Sequence, residues 1–412
     1  MDYGLIGEKL THSFSKEIHE QIGGYTYVLR EVQRESLDAF MKEHAFCGIN
    51  VTIPYKQQVI PYLDHIDESA GQIGTVNTIV NRDGKLYGFN TDYTGLKKLI
   101  AQRFDLNGRK VLILGSGGTS KTARTVCRDL GAASVLRVSR SAAEEDTILY
   151  TDLNAHTDTD YLINTTPLGM YPNPDASPAD LTMFDHLSGV VDVIYNPLRT
   201  RLLLQAESLK IPCTGGLPML VYQAVAAASH FTGREVENER AEEICRSILT
   251  QRENLVLIGM PGSGKSTIGR MLSKKLQMDF TDTDDEIVQK TGRAITDIFA
   301  KDGEAAFRKM EEELALTLQT CQHTVISTGG GFILNPVCEM AMKAYGRVIF
   351  LDREPDRIKP TDDRPLADER EKIEKLYRQR LPAYRRIADH TIPVTGTPED
   401  VCEKLLQTIG QA

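Results

Sequence analysis

The sequence predicts an α/β protein of more than one domain, with parallel sheets. Three observations predict it. Two short apolar runs ended by glycine, Lys110-Val-Leu-Ile-Leu-Gly115 and Leu255-Val-Leu-Ile-Gly259, read as buried strands. Each leads into a glycine-rich turn and then a helical segment, the strand–turn–helix order of a nucleotide-binding βαβ unit. The chain has 412 residues, enough for two or three domains of ordinary size.

Composition excludes several classes. Hydrophobic residues make up 41% and charged residues 25%, the balance of a chain that folds around apolar cores. The net charge of −9 argues against a nucleic-acid partner, whose phosphates call for a basic surface. The seven cysteines form no CxxC pair and no cluster with histidine, and an odd number of them reads as a reduced, cytoplasmic setting. The first residues, MDYGLIGEKLTHSFS, have no basic segment followed by an apolar one, so no signal peptide is expected. No apolar run approaches the ~20 residues that a membrane span needs. A homo-oligomer is left open.

Along the chain, residues 1–95 mix short apolar runs (GLIG, GINVTI, TVNTIV) with helical stretches. The strand at Lys110, a helix over Thr122 to Leu130 and the strand Ser134-Val-Leu-Arg-Val-Ser139 form the first βαβ unit. The runs YLINTT and GVVDVIY extend its parallel sheet. Residues 217–231 read as an apolar helix carrying Gln223, and 234–253 as a charged closing helix running into a linker. A second α/β domain starts near 254, where Ile268, Met271, Leu272 and Leu276 fall at helical spacing after the glycine turn.

The later loop, Gly259-Met-Pro-Gly-Ser-Gly-Lys-Ser-Thr267, fits G-x-x-x-x-G-K-[ST]. The backbone N–H groups of Gly262, Ser263, Gly264 and Thr267 point at phosphates, Lys265 adds a charge and Ser266 offers a hydroxyl to Mg²⁺. Asp282 and Asp284 stand two apart and share a face if the segment is extended; one could serve the metal, the other deprotonate an acceptor hydroxyl. Arg308 can hold a carboxylate as a planar fork, though taken singly it reads as a surface ion-pair residue. Gly329, Gly330 and Gly331 let backbone approach a ligand.

Together with R-P-L and L-P-A-Y-R-R-I-A, these stretches make residues 254–412 resemble shikimate kinase, a P-loop α/β domain of nucleoside-monophosphate-kinase-like fold. The resemblance implies ATP as donor, Mg²⁺ near Ser266 and Asp282, and shikimate held by Asp284, Arg308, Gly330 and Arg380. It places Asp284 near the reacting hydroxyl and Arg364 in a lid over ATP. The family usually has R-P-L-L where this chain has Arg364-Pro-Leu-Ala367.

The earlier loop, Gly115-Ser-Gly-Gly-Thr-Ser120, opens a helix whose N-terminus suits a pyrophosphate. After the next strand come Ser139, Arg140 and Ser141, a guanidinium between two hydroxyls where an NAD enzyme would carry an acid, so NADP is favoured. Lys56 and Asp92 are candidates for the proton relay that a ketone reduction needs. With H-S-F-S, N-V-T-I-P-Y-K, G-F-N-T-D and I-N-T-T-P-L-G-M, residues 1 to about 235 resemble shikimate dehydrogenase. That implies a substrate domain over 1–95 completed by 217–250, and a Rossmann NADP domain over 96–216. It implies Lys56 and Asp92 as the catalytic pair, and Ser13, Ser15, Thr52, Asn77, Tyr195 and Gln223 around the substrate. Gly115, Ser116, Gly117, Gly118, Thr119, Ser120, Ser139, Arg140, Ser141, Thr165, Gly216 and Met219 would face NADP(H). Lys16 and Glu20 stand where the family often has proline and asparagine. The expected function is reduction of 3-dehydroshikimate followed by phosphorylation of shikimate.

Overall fold

The computed structural model describes residues 2–10, 14–141, 146–359 and 369–410. The chain divides into two compact units, Met1–Ile248 and Leu249–Ala412.

The first unit holds two sheets. In the first, six strands run in the order Tyr27–Glu31, Tyr3–Gly7, Gly48–Val51, Thr78–Arg82, Lys85–Phe89, His65–Ile66. Its N-terminal strands pair in parallel, and Gly48–Val51 pairs antiparallel with Thr78–Arg82. The second sheet, parallel throughout, runs Cys213–Thr214, Gly189–Asp192, Tyr161–Asn164, Lys110–Leu114, Ser134–Ser139, Thr147–Leu149. Chain order reverses direction on either side of Lys110–Leu114, so a crevice opens beyond its carboxyl end, the place where ligands bind in open α/β sheets.

Two helices, Thr91–Arg103 and Leu217–Thr232, pack closely beside these sheets. Leu96, Leu99 and Ile100 of the first meet Val221, Ala224 and Val225 of the second in one apolar cluster. Gly95 permits the approach. A Cβ there would lie 2.6 Å from the Met219 carbonyl oxygen and 3.0 Å from the Gln223 backbone nitrogen. The contact also fixes the separation of Asp92 and Gln223, which sit one on each helix.

The second unit is a five-stranded parallel sheet in the order Asp279–Asp282, Thr324–Ser327, Asn254–Ile258, Gly346–Asp352, His390–Pro393. Asn254–Ile258 is central and fully buried, which is why it reads as an unbroken apolar run. The helix Lys265–Leu276 follows its glycine loop. The long helical segment Ile295–Leu318 turns at Gly303, whose φ of 82° is open to glycine at little cost.

Three expectations need adjusting. The helix after the early loop begins at Gly118 and not at Thr122, because Gly117 takes the N-cap position and the polar first turn carries no apolar signal. The charged segment forms the helix Asn238–Arg252, and only Glu253 separates it from the strand at Asn254, so no linker stands there. Asp282 and Asp284 do not share an extended segment: Asp282 caps the helix Thr283–Thr291 by accepting from the Asp284 N–H, which puts Asp284 in the first helical turn. Among the described residues no helix is long and apolar enough to cross a membrane.

Gly95→Ala should therefore destabilise the first unit by about 1–3 kcal/mol, since the clash is with backbone and outweighs the gain of about 1 kcal/mol in helix propensity. A fall in the urea midpoint of that unit's transition checks this; an unchanged or raised midpoint would contradict the packing argument.

Candidate active sites

In the first unit a cleft of about 560 Å³ is lined by Ser15, Thr52, Lys56, Asn77, Asp92, Tyr195 and Gln223, among others. Lys56 lies in the turns after Gly48–Val51, and Asp92 in the first turn of its helix, where the Asn90 side chain caps by accepting from the Tyr93 N–H. The Lys56 ammonium donates to Asp92 Oδ2 at 2.6 Å. The two side chains are 27% and 19% exposed, so the pair is partly dried yet open to the cleft. A charged lysine held by a carboxylate in such a place can give a proton to an oxygen gaining negative charge. Ser13 lies outside the described residues.

The early glycine loop stands at the crevice of the second sheet. Gly115 has φ of 115°, and a Cβ on it would sit 2.8 Å from Thr165 Oγ1. Gly117 and Gly118 are exposed, and nothing lies within 4 Å of a Cβ built on Gly117, so a ligand can reach this backbone. Thr119 and Ser120 belong to the first turn of the helix Gly118–Asp129, and the Ser120 hydroxyl donates to the Gly117 carbonyl at 2.7 Å. The hydroxyls of Ser116 and Ser139 meet at 3.1 Å, and the Ser141 N–H donates to Ser139 Oγ at 3.4 Å. Arg140 is exposed between them. Loop, helix start and flanking cation together fit an anionic dinucleotide. Two expected residues also have packing reasons to be where they are. Gly216 presses on the Val193 carbonyl, 2.0 Å from a built Cβ, and Met219 is buried in the core.

In the second unit a smaller cavity of about 160 Å³ is lined by Gly262, Lys265, Ser266, Asp282, Asp284, Arg308, Glu311 and Arg380, among others. Lys265 donates to the carbonyls of Gly259 at 3.0 Å and Met260 at 2.9 Å, inside its own loop. Gly262 and Gly264 have φ of 78° and 97°, the Ser263 hydroxyl is buried without a partner, and Thr267 is exposed on the following helix. The loop is thus shaped to turn N–H groups toward a phosphate. Ser266 donates to Asp282 Oδ2 at 2.7 Å, an oxygen pair suited to a hard cation such as Mg²⁺.

The other wall is held by charge pairs. Arg308 donates to Glu304 and to Glu311, both at 2.7 Å. Glu311 is fully buried, and burial pushes its carboxyl up to about 7 against the pull of Arg308. Burial and the Asp282 charge likewise raise the carboxyl of Asp284, while Lys265 and Arg308 draw it down. Each of the three glycines makes room for a neighbour. A Cβ on Gly329 would lie 2.5 Å from Asp284 Oδ1, one on Gly330 2.7 Å from Pro261 and 3.1 Å from Arg380, and one on Gly331 2.5 Å from Arg308. The Gly329 N–H donates to Thr283 Oγ1 at 2.8 Å, and the Tyr384 hydroxyl donates to the Gly330 carbonyl at 2.5 Å.

The structure thus gathers Lys56 with Asp92, and Asp284, Arg308, Gly330 and Arg380 around one cavity. Arg364 lies outside the described residues. Sequence reasoning missed Glu311, although its position three residues after Arg308 on a helix was a legible pairing signal. It also missed Thr91, Asn50 and Tyr384, uncharged residues whose roles depend on partners far along the chain.

Comparison with known proteins gives the same division. Residues 261–410 match the family model "Shikimate kinase", and residues 5–79 match "Shikimate dehydrogenase substrate binding domain". Over 254 residues the chain is 38% identical to the shikimate dehydrogenase (NADP(+)) of Clostridium beijerinckii, covering 58% of this chain and 94% of that protein. Among solved structures it is similar to a chorismate mutase/shikimate 5-dehydrogenase fusion protein from Clostridium acetobutylicum, with 36% identity, TM-score 0.57, and coverage of 60% of this chain and 96% of that one. It is also similar to the shikimate 5-dehydrogenase of Thermus thermophilus in complex with NADP(H) and shikimate, with 31% identity, TM-score 0.54, and coverage of 60% and 99%.

The Glu311–Arg308 pair generates a pH prediction. The folded carboxyl lies above the ordinary glutamate value, so below about 7 it is neutral and its hold on Arg308 weakens. Phosphoryl transfer at subsaturating acceptor should therefore fall as pH drops through that value. Glu311→Gln, neutral throughout, should be slower by about tenfold at high pH, the scale of losing one charge-assisted hydrogen bond. The variant's acid limb should lie lower than that of the wild type. A variant with the wild-type rate and pH profile would contradict the role given to Glu311.

Proposed function

The chain belongs to the shikimate dehydrogenase family over its N-terminal unit and carries a shikimate kinase domain after it, and from that premise we propose one bifunctional enzyme acting twice on the same cyclohexene acid. The first site reduces 3-dehydroshikimate to shikimate with NADPH. The second transfers the γ-phosphoryl group of ATP to the 3-hydroxyl, giving shikimate 3-phosphate. The observation that carries the reading is the 2.6 Å Lys56–Asp92 pair inside a cleft, in a chain whose other unit sets Asp284 and two arginines around a phosphate loop.

In the reductase, NADPH bound along Gly115 to Ser120 supplies the hydride. Arg140, with Ser139 and Ser141, would receive the 2′-phosphate, and Thr165, Gly216 and Met219 would stand on the nucleotide's side of the crevice. Lys56 Nζ gives its proton to the carbonyl oxygen as that oxygen gains charge, and Asp92 holds and aims the lysine. Ser15, Thr52, Asn77, Tyr195 and Gln223 hold the carboxylate and hydroxyls of the acid.

In the kinase, ATP bound on Gly262 to Thr267 supplies the phosphoryl group, and Ser266 and Asp282 would hold its Mg²⁺. Lys265 leaves the loop carbonyls it now binds for the terminal phosphates. Asp284 takes the proton of the acceptor hydroxyl, and its raised pKa suits a base working near neutral pH. Arg308 and Arg380 hold the carboxylate, with the backbone of Gly330 beside Arg380. The seven cysteines are all free thiols, which accords with a cytoplasmic location.

A coupled assay with 3-dehydroshikimate, NADPH and MgATP tests the reading, and shikimate 3-phosphate should accumulate. Lys56→Ala should cut NADPH oxidation by at least about a hundredfold and leave phosphorylation of added shikimate unchanged, while Lys265→Ala does the reverse. A preference for NADH would overturn the cofactor assignment. Failure of the wild-type protein to transform either acid would overturn the whole reading.

A further inference from the structure

We infer that Thr78, which carries no charge and catalyses no step, is a positioning residue that, together with the Thr91 backbone N–H, holds the Asn77 amide with its N–H donors turned to the substrate cleft. The inference rests on the reductase reading of that cleft and goes beyond it to the network behind the wall.

Hydrogen-bond accounting fixes the amide. The Thr91 backbone N–H lies 2.7 Å from Asn77 Oδ1. A backbone N–H only donates, so the atom facing it must be the carbonyl oxygen. The amide nitrogen, with two donors, is left for the cleft that Asn77 lines. Asn77 is buried, so the orientation matters: the reverse orientation would set two donors face to face out of water.

The neighbours form a chain. Asn50 Nδ2 donates to the Asn77 backbone carbonyl at 3.3 Å, which fixes the Asn50 amide in turn. Its Oδ1 then accepts from the Tyr27 hydroxyl at 2.7 Å. Its other N–H goes to Thr78 Oγ1 at 2.9 Å. Having accepted there, the Thr78 hydroxyl keeps its own hydrogen for the site side. Asn77 Oδ1 lies 3.2 Å away and Thr91 Oγ1 3.0 Å away. Thr91 Oγ1 in turn lies 3.2 Å from Asn77 Oδ1 and 3.4 Å from Gln223 Oε1. The Thr78–Thr91 hydroxyl contact can run either way, and Thr78 joins Tyr27 and Asn50, which also borders the cleft, to Asn77, Thr91 and Gln223. Tyr27, Asn50, Thr78 and Thr91 are all buried, so water cannot replace a lost link cheaply.

The test is a double-mutant cycle on the full chain, read in the reductase direction with the urea midpoint of the first unit's transition as the folding control. Thr78→Val keeps the shape and removes the hydroxyl. It should raise KM for 3-dehydroshikimate by about tenfold, the worth of one buried hydrogen bond, and change kcat by less than about threefold. Thr78→Ser should return KM to within about threefold of wild type. On an Asn77→Ala background Thr78→Val should cost nothing further, because its effect passes through the missing amide. Additive losses in the cycle, a Thr78→Val protein with wild-type KM, or a KM change that Thr78→Ser does not reverse would overturn the proposal while leaving an active reductase in place. A wild-type protein that does not reduce 3-dehydroshikimate would instead remove the reading beneath it, and the proposal with it.

Discussion

A polar group taken out of water must find a partner, and both sites are built on that constraint. At the carboxyl end of the second sheet, Asp192 is fully buried and accepts from Thr200 Oγ1, Asn164 Nδ2 and the Ile194 N–H. Burial still pushes its carboxyl up to about 6. Such groups are tolerable only when the elements carrying their partners are held in place. The strand register supplies this, setting Asn164 beside Asp192 and Leu114. The polar cluster therefore ties two strand ends to Thr200, the cap of the helix Arg201–Ser208, next to the strand that carries the nucleotide loop.

The same logic explains why the chemistry stands at strand ends and first helical turns. Backbone groups within the sheets are already paired. Beyond the carboxyl ends the N–H groups of the next helix are unpaired, and an anion or a side-chain oxygen can satisfy them. Asp282 shows both uses at once. Its Oδ1 caps a helix by accepting from the Asp284 N–H at 3.1 Å, while Oδ2 takes the Ser266 hydroxyl. The cap is also what turns Asp284 into the cavity, so a local folding signal and a site geometry are the same contact.

Much of this was legible in the sequence because the responsible signals are local. A glycine loop between an apolar strand and a helix reveals itself within a dozen residues, and so did Lys265 and Ser266. Lys56 and Asp92 were named as candidates, but their contact joins residues 36 apart in the chain, which no spacing rule reaches. The Thr78 network was illegible for the same reason, and threonines and asparagines serve caps and turns so often that type alone says nothing. The false extended reading of Asp284 came from the opposite cause. The local pattern allowed both a strand and a capped helix, and the cap, with Thr283 Oγ1 accepting from Gly329, favoured the helix.

The two lysines show how one side chain serves different chemistry through its partner. Lys56 is paired with a carboxylate, so its charge is neutralised locally while a proton remains available to an oxygen in the cleft. Lys265 is buried against two backbone carbonyls, which orient the ammonium, and its charge also draws down the Asp284 carboxyl. A phosphate arriving on the loop then finds a cation that is already desolvated and aimed, and little reorganisation opposes the exchange of carbonyl partners for phosphate oxygens. A carboxylate in the position of those carbonyls would compete with the phosphate for the lysine. Lys56 meets a carboxylate at hydrogen-bond distance and Lys265 meets the carbonyls of its own loop, the first arrangement fit to move a proton and the second to grip an anion.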